Sequence, residues 1–170
     1  MKFHEIVLLS YYMFIGFMFQ FPAVTMRFYL IETCKVSPTQ MQALQGVVGI
    51  PWTVKVLYGF VSDAFPICGY RRRPYIIMSM LVNFGTWLAL SSVQEPHIVV
   101  VGAMMTLSSL TMCVTDVMVD SILVINARDE SEESKGSIQS HAWGARFIGG
   151  MIAAVFGGIA YENIGHAGVF

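Results

Sequence analysis

Charge is scarce in this sequence. Only 12% of its 170 residues are Asp, Glu, Lys or Arg, against roughly 25% in a soluble domain. That shortage argues against a soluble fold. The net charge is -1, and the few basic residues sit in short segments between apolar runs, which gives no electrostatic footprint for nucleic acid. Cysteine is scarce as well. Cys34, Cys68 and Cys113 lack CxxC or metal-ligand spacing, and Cys113 falls inside an apolar run. Neither a zinc site nor a disulfide framework is supported, and the three read as small apolar fillers. The chain also lacks a Walker loop and a Ser-His-Asp arrangement, which disfavours ATP-driven transport and an enzymatic reading. No cofactor is expected.

What is abundant is hydrocarbon. Apolar residues make up 55% of the chain and the mean hydropathy is +0.62. Hydropathy predicts an all-α integral membrane protein with five spans at about 6–30, 39–61, 74–93, 98–125 and 140–161, each near the ~20 residues a crossing helix needs. The first run is longer than the ~7 to 15 residues of a signal-peptide core, and no A-x-A-like cleavage site follows it, so it is read as a span. The linkers are too short for a soluble domain.

The basic residues predict the orientation. With the N-terminus inside, Lys2, Arg71, Arg72, Arg73, Arg128 and Lys135 are cytoplasmic, against Arg27 and Lys35 near the outer side. Lys and Arg accumulate in cytoplasmic loops, so the N-terminus and the triple-arginine loop are expected there. Topology alone accounts for such a cluster, but its neighbours suggest more. Gly59 and Asp63 close the second span, Gly69 permits a tight turn, and Pro74 sets the start of the third.

A Gly, an Asp four residues on, then Gly and a basic run resembles the signature between the second and third helices of the major facilitator superfamily, widened here by "AFPIC". "GIPWTVKVLYGFVSDAFPICGYRRRPY" is similar to the signature of the folate-biopterin transporter family within it. "DVMVDSILVINARDE" and "GSIQSHAWGARFIGG" agree. Val56 stands where that family usually has proline, so a weaker kink is expected there. The resemblance covers nearly the whole chain and implies the N-terminal portion of a secondary transporter for folates or pterins. Such transporters commonly have about twelve spans and alternating access between two six-helix halves. With five spans, the chain is expected to be a partial bundle needing the remaining half, or a short form that assembles with something else.

The polar residues inside the spans fall on faces, whatever the family. Gln42, Gln45, Gly49, Trp52, Lys55 and Gly59 recur at helical spacing in the second span. Ser109, Cys113, Asp116 and Asp120 do so in the fourth. Arg146, Gly150, Ala154 and Gly158 form a seam in the fifth that would admit another helix closely. Tyr12, Gly16, Gln20 and Ala23 make a milder polar face in the first.

Intramembrane charge is costly, at least ~2.5 kcal/mol at the bilayer centre, and marks pathways, relays or ion pairs. Counting from the loops, Asp120 and Arg146 lie at equal depth, roughly 10 Å inside antiparallel neighbours, and are predicted to pair. Asp63 is predicted to latch onto the arginine loop. Asp116 and Lys55 lie deeper, with Gln20 and Gln45 near the middle, and these are the expected substrate contacts together with Trp52. The resemblance implies that Asp116 accepts the planar N–H edge of a pterin, while Lys55, with Arg146 as a second cation, meets the carboxylates of a folate's glutamate tail. A buried carboxylate can also carry a proton.

Plain structural readings stand beside these. Ion pairs can simply neutralise charge for insertion. Trp52 and Trp143 can be packing or interfacial anchors instead of stacking platforms. His141 reads as a polar boundary residue, "RDESEESK" as a solvated loop, and the methionines as adaptable packing. Two other functions remain open: a transport-inactive membrane partner or assembly subunit docking through the Gly150–Gly158 seam, and a membrane enzyme using Asp116 and Asp120.

Overall fold

A computed structural model describes residues 3–93, 97–127 and 136–169. Lys2, Arg128 and Lys135, which entered the orientation count, lie outside them, as does "RDESEESK". The described chain is built from helices α1 (Phe3–Phe28), α2 (Pro38–Thr53), α3 (Lys55–Ala64), α4 (Arg73–Ser91), α5 (Ile98–Ala127) and α6 (Ser137–Val169). Helices α2 and α3 together make one crossing. Among the described residues, five segments are therefore long and apolar enough to span a membrane: Glu5–Thr33, Pro38–Ala64, Arg73–Ser91, Ile98–Ile125 and Ser137–Ile164. The chain is an all-α integral, multi-pass membrane protein.

Local chemistry sets the ends of these helices. A π-helical turn, Tyr29–Thr33, closes the first span. Lys35 then takes a left-handed φ of 49°, and the Val36 N–H reaches the Leu30 carbonyl at 3.0 Å, which satisfies an end carbonyl. Ser37 and Gln40 form a reciprocal capping box, with Pro38 in the first turn of α2. In the arginine loop Cys68 (φ 50°) and Gly69 (φ 79°) make the tight turn, and Ile67 and Tyr70 exchange two backbone hydrogen bonds across it.

The second span is broken at Val54, two residues before the valine where a weakened kink was expected. Pro51 is the cause. It has no N–H for the Val47 carbonyl, and three residues later the backbone leaves helical geometry, with ψ 17° at Val54. The Leu57 N–H restarts the helix on the Val54 carbonyl at 2.9 Å.

Helix α5 is central and touches α1, α2, α3, α4 and α6. Its long buried face divides the core in two. One cluster, including Leu8, Ile76, Met118 and Leu123, lies toward the arginine loop. Another, including Met26, Leu30, Leu90 and Val101, lies at the opposite end. Buried Asn83 of α4 accepts from Ser108 at 2.7 Å and from Thr111 at 3.3 Å, which ties α4 to α5.

Helices α1 and α6 pack backbone to backbone. A Cβ on Gly16 would lie 2.0 Å from the Arg146 carbonyl oxygen, and one on Gly149 2.0 Å from that of Met13. One on Gly157 would lie 2.9 Å from the Phe21 oxygen. The seam therefore runs through Gly149, buried Ala153 and Gly157, one residue away from the expected Gly150, Ala154 and Gly158. Ala154 is exposed, and nothing approaches within 4 Å of a Cβ on Gly158. Both sets are small residues four apart, and spacing alone does not choose between them.

Candidate functional site

The polar stripe of α5 faces the broken span, residue by residue. At its upper part the Trp52 indole Nε1 donates to Ser109 Oγ at 3.0 Å, and Ser109 donates to the Val48 carbonyl at 2.7 Å. One turn on, the Cys113 thiol lies 3.6 Å from the Pro51 carbonyl. Side chains of α5 thus serve backbone groups beside the proline, as a broken membrane helix requires.

Directly below the break, Lys55 opens α3 and sits between two carboxylates. Its Nζ is 2.6 Å from Asp116 Oδ2 and 2.8 Å from Asp120 Oδ2. The other oxygen of Asp116 accepts from the Arg146 guanidinium of α6, and the other oxygen of Asp120 accepts from the Tyr12 hydroxyl of α1 at 2.7 Å. Two negative and two positive side chains from three helices therefore cancel. Removing Asp116, which is buried and holds both cations, would leave charge unpaired at a cost of about 3 to 5 kcal/mol.

Arg146 meets Asp116, not the Asp120 expected from equal depth. Helix α6 begins at Ser137, ahead of the span start expected near 140, so Arg146 sits deeper and its long side chain reaches Asp116, one turn further along α5. Asp120 is taken instead by Lys55 and Tyr12. Asp116 is deep, as expected, with a side chain only 3% exposed, and both its oxygens are engaged. A pterin edge would have to displace Lys55 or Arg146 to reach it.

Aromatic rings flank the cations. Lys55 Nζ lies 5.7 Å from the centroid of Trp52, which Phe19 meets edge-on at 5.8 Å. The Arg146 guanidinium lies 5.2 Å from the Trp143 ring. Gln20 is half-buried and Gln45 exposed, and neither joins the network. At the loop, Arg72 reaches Asp63 at 3.5 Å while Arg73 lies 5.7 Å from the Tyr70 ring, and Arg71 is exposed. The latch is made by Arg72. Sequence reasoning missed Tyr12 as a partner of Asp120. Its only signal was a polar hydroxyl on the same face as Gly16, the glycine that brings α1 against α6.

Beside this network, Lys55, Arg72, Asp120 and Ser121 line a cleft of about 350 Å³ between α3 and the end of α5. That volume is at the lower end of the ~300 to 1,000 Å³ of small-molecule sites.

Comparison with known proteins places the chain. The profile of the BT1 family matches residues 16–170. The chain is 36% identical over 139 residues to a folate-biopterin transporter of Synechocystis sp., covering 82% of this chain and 28% of that protein. It is 31% identical over 137 residues to probable folate-biopterin transporter 4 of Arabidopsis thaliana, covering 79% of this chain and 28% of the relative. It is also 31% identical over 147 residues to probable folate-biopterin transporter 2 of the same plant, with 86% and 29% covered. The chain thus spans less than a third of the length of these relatives. No solved structure matches it. With nearly its whole length inside the matched region, the chain belongs to the BT1 family, together with these folate-biopterin transporters.

Proposed function

We propose that this bundle forms part of a secondary transporter for folate or pterin-type solutes, and that it is not an enzyme. The carrying observation is the neutral cluster of Lys55, Asp116, Asp120 and Arg146 in the membrane interior of a BT1-family chain. Charges held at that depth mark a solute or ion pathway, and their mutual neutralisation argues against a free carboxylate pair for catalysis. The relatives named as folate-biopterin transporters support the solute class.

Transport proceeds by alternating access between this bundle and a remaining half that completes the path. Lys55 and Trp52 are the substrate contacts nearest the cleft, with Gln20 and Gln45 further along the same route. Asp116, itself anchored by Arg146, holds Lys55 in place, and the Asp63–Arg72 pair gates the arginine end, which faces the cytoplasm with the N-terminus. The break at Val54 lets α3 move as a short lever carrying Lys55. The cycle is proton-coupled.

Uptake of labelled folate and biopterin by the full-length protein in transport-deficient cells tests this reading. Uptake of either solute is the expected result, and Lys55→Gln should lower folate uptake while sparing biopterin, which has no glutamate tail. Absence of uptake for both solutes would remove the solute assignment. An assembly subunit would then be the better reading.

A further inference from the structure

The two carboxylates on Lys55 are not equivalent. Asp116 is 3% exposed and holds Arg146 as well, so losing its charge would strand two cations. The Asp120 side chain is 34% exposed, lines the cleft, and keeps one neutral partner, the Tyr12 hydroxyl, on its other oxygen. Asp120 can therefore leave Lys55 without dismantling the site. Across the same cleft stands Arg72, whose Nε is buried without a hydrogen-bond partner among the described residues. The cleft thus offers Lys55 with one replaceable anion, and Arg72, which half-exposed Asp63 holds at 3.5 Å, with one spare donor.

The geometry points to a carboxylate-exchange site. A carboxylate on a ligand entering the cleft replaces that of Asp120 on Lys55 Nζ, and Asp120 takes up one proton as it is displaced. This rests on the transport reading and specifies its solute chemistry and ion. The Lys55–Asp120 Oδ2 hydrogen bond breaks, one from Lys55 to the ligand carboxylate forms, and a proton delivered from bulk solution through the open cleft goes to Asp120 Oδ2. Oδ1 still accepts from Tyr12.

The charge balance is conserved. Before exchange, Asp116 and Asp120 offset Lys55 and Arg146; afterwards Asp116 and the ligand carboxylate offset the same two cations. Bare insertion of an anion would leave the site one charge negative, which a membrane interior resists. A second carboxylate, as on a glutamate tail, would meet Arg72 in place of Asp63, whose half-exposed side chain can turn to solvent with its charge. The groups that bear on Asp120 are Tyr12 from α1, Lys55 from α3, Arg72 from the loop with Asp63 behind it, and Cys113 and Asp116 of its own helix, Asp116 carrying Arg146 from α6.

Binding to the full-length protein in nanodiscs, measured across pH, decides the matter. The probes are folate, 4-aminobenzoylglutamate, which carries the tail without a pterin, and biopterin, which carries a pterin without the tail. Affinity for both tailed probes should rise about tenfold for each unit the pH falls, as one proton per ligand demands. Biopterin should stay flat. Asp120→Asn, which keeps an acceptor for Tyr12, should bind the tailed probes at high pH as tightly as the native protein does at low pH, without a slope.

Asp120→Glu should retain the slope, which keeps the test valid if the asparagine variant does not fold. Arg72→Gln should weaken the tailed probes and leave the slope intact. A slope that survives in Asp120→Asn, the same slope for biopterin, or no binding of either tailed probe overturns the proposal. If 4-aminobenzoylglutamate shows the slope while folate and biopterin fail to bind, the exchange site stands and the folate-pterin reading falls.

Discussion

Asp116 and Asp120 are the same residue type one turn apart, yet the structure gives them different work. Asp116 holds two cations in a nearly dry position, and Asp120 holds one at the edge of a cleft. Their substitutions should separate on stability. Asp116→Asn leaves both Lys55 and Arg146 short of a buried partner and should destabilise the full-length protein by about 3 kcal/mol or more. Asp120→Asn should cost much less, because Lys55 keeps Asp116 and the site is partly wetted. Thermal unfolding monitored by size-exclusion chromatography would show this, and equal losses would mean that the two carboxylates are interchangeable supports. The faces carrying these residues were legible in the sequence: Trp52 and Lys55 do meet the stripe of Ser109, Cys113, Asp116 and Asp120. The pairing within the stripe was not. Depth counted from loop ends carries an error of about two residues, or ~3 Å, while the choice between Asp116 and Asp120 turns on one helical turn.

At the scale of the helix, the contact between α1 and α6 depends on removing side chains. Gly149 and Gly16 each lie where a methyl would strike backbone on the other helix, and backbone cannot yield as a flexible side chain does. Gly149→Ala should therefore push the two helices apart and cost roughly 1 to 3 kcal/mol or more, the scale of overpacking. Gly158→Ala should be tolerated, since nothing stands within 4 Å of the added carbon. Thermal stability of the two variants compares the two seams directly. If Gly158→Ala were the damaging change, the seam would be the one expected from the spacing of Arg146, Gly150, Ala154 and Gly158. That a small-residue seam existed was readable, since glycine and alanine four apart permit close approach. Which of two adjacent stripes faces α1 depends on the rotation of α6, and that is fixed by contacts elsewhere, including Arg146 on Asp116. The break at Val54 shows the same limit. Proline at position 51 announces a disturbed helix, but the residue at which helicity fails is set by what α5 offers the backbone beside it.

For the whole molecule, the native cysteines can report the orientation of the bundle. Cys68 is exposed in the arginine loop, Cys113 is buried in α5, and Cys34 lies beyond the opposite end of the first span. Burial pushes the Cys34 thiol up from its ordinary pKa, which keeps it protonated and slow toward maleimides. Replacing Cys34 by serine leaves Cys68 as the reporter of the arginine end. Thr39→Cys, exposed in the first turn of α2, reports the opposite end in a background with Cys34 and Cys68 both replaced. With the arginine loop in the cytoplasm, as the basic-residue asymmetry requires, an impermeant maleimide should modify the cysteine at position 39 in intact cells expressing the full-length protein at their surface. Cys68 should react only after permeabilisation. The cleft holding Lys55, Asp120 and Arg72 opens at the same end as Cys68, so this labelling also decides which compartment would supply its proton and its carboxylate. Labelling of Cys68 from outside would invert the bundle and place the exchange site at the outer face.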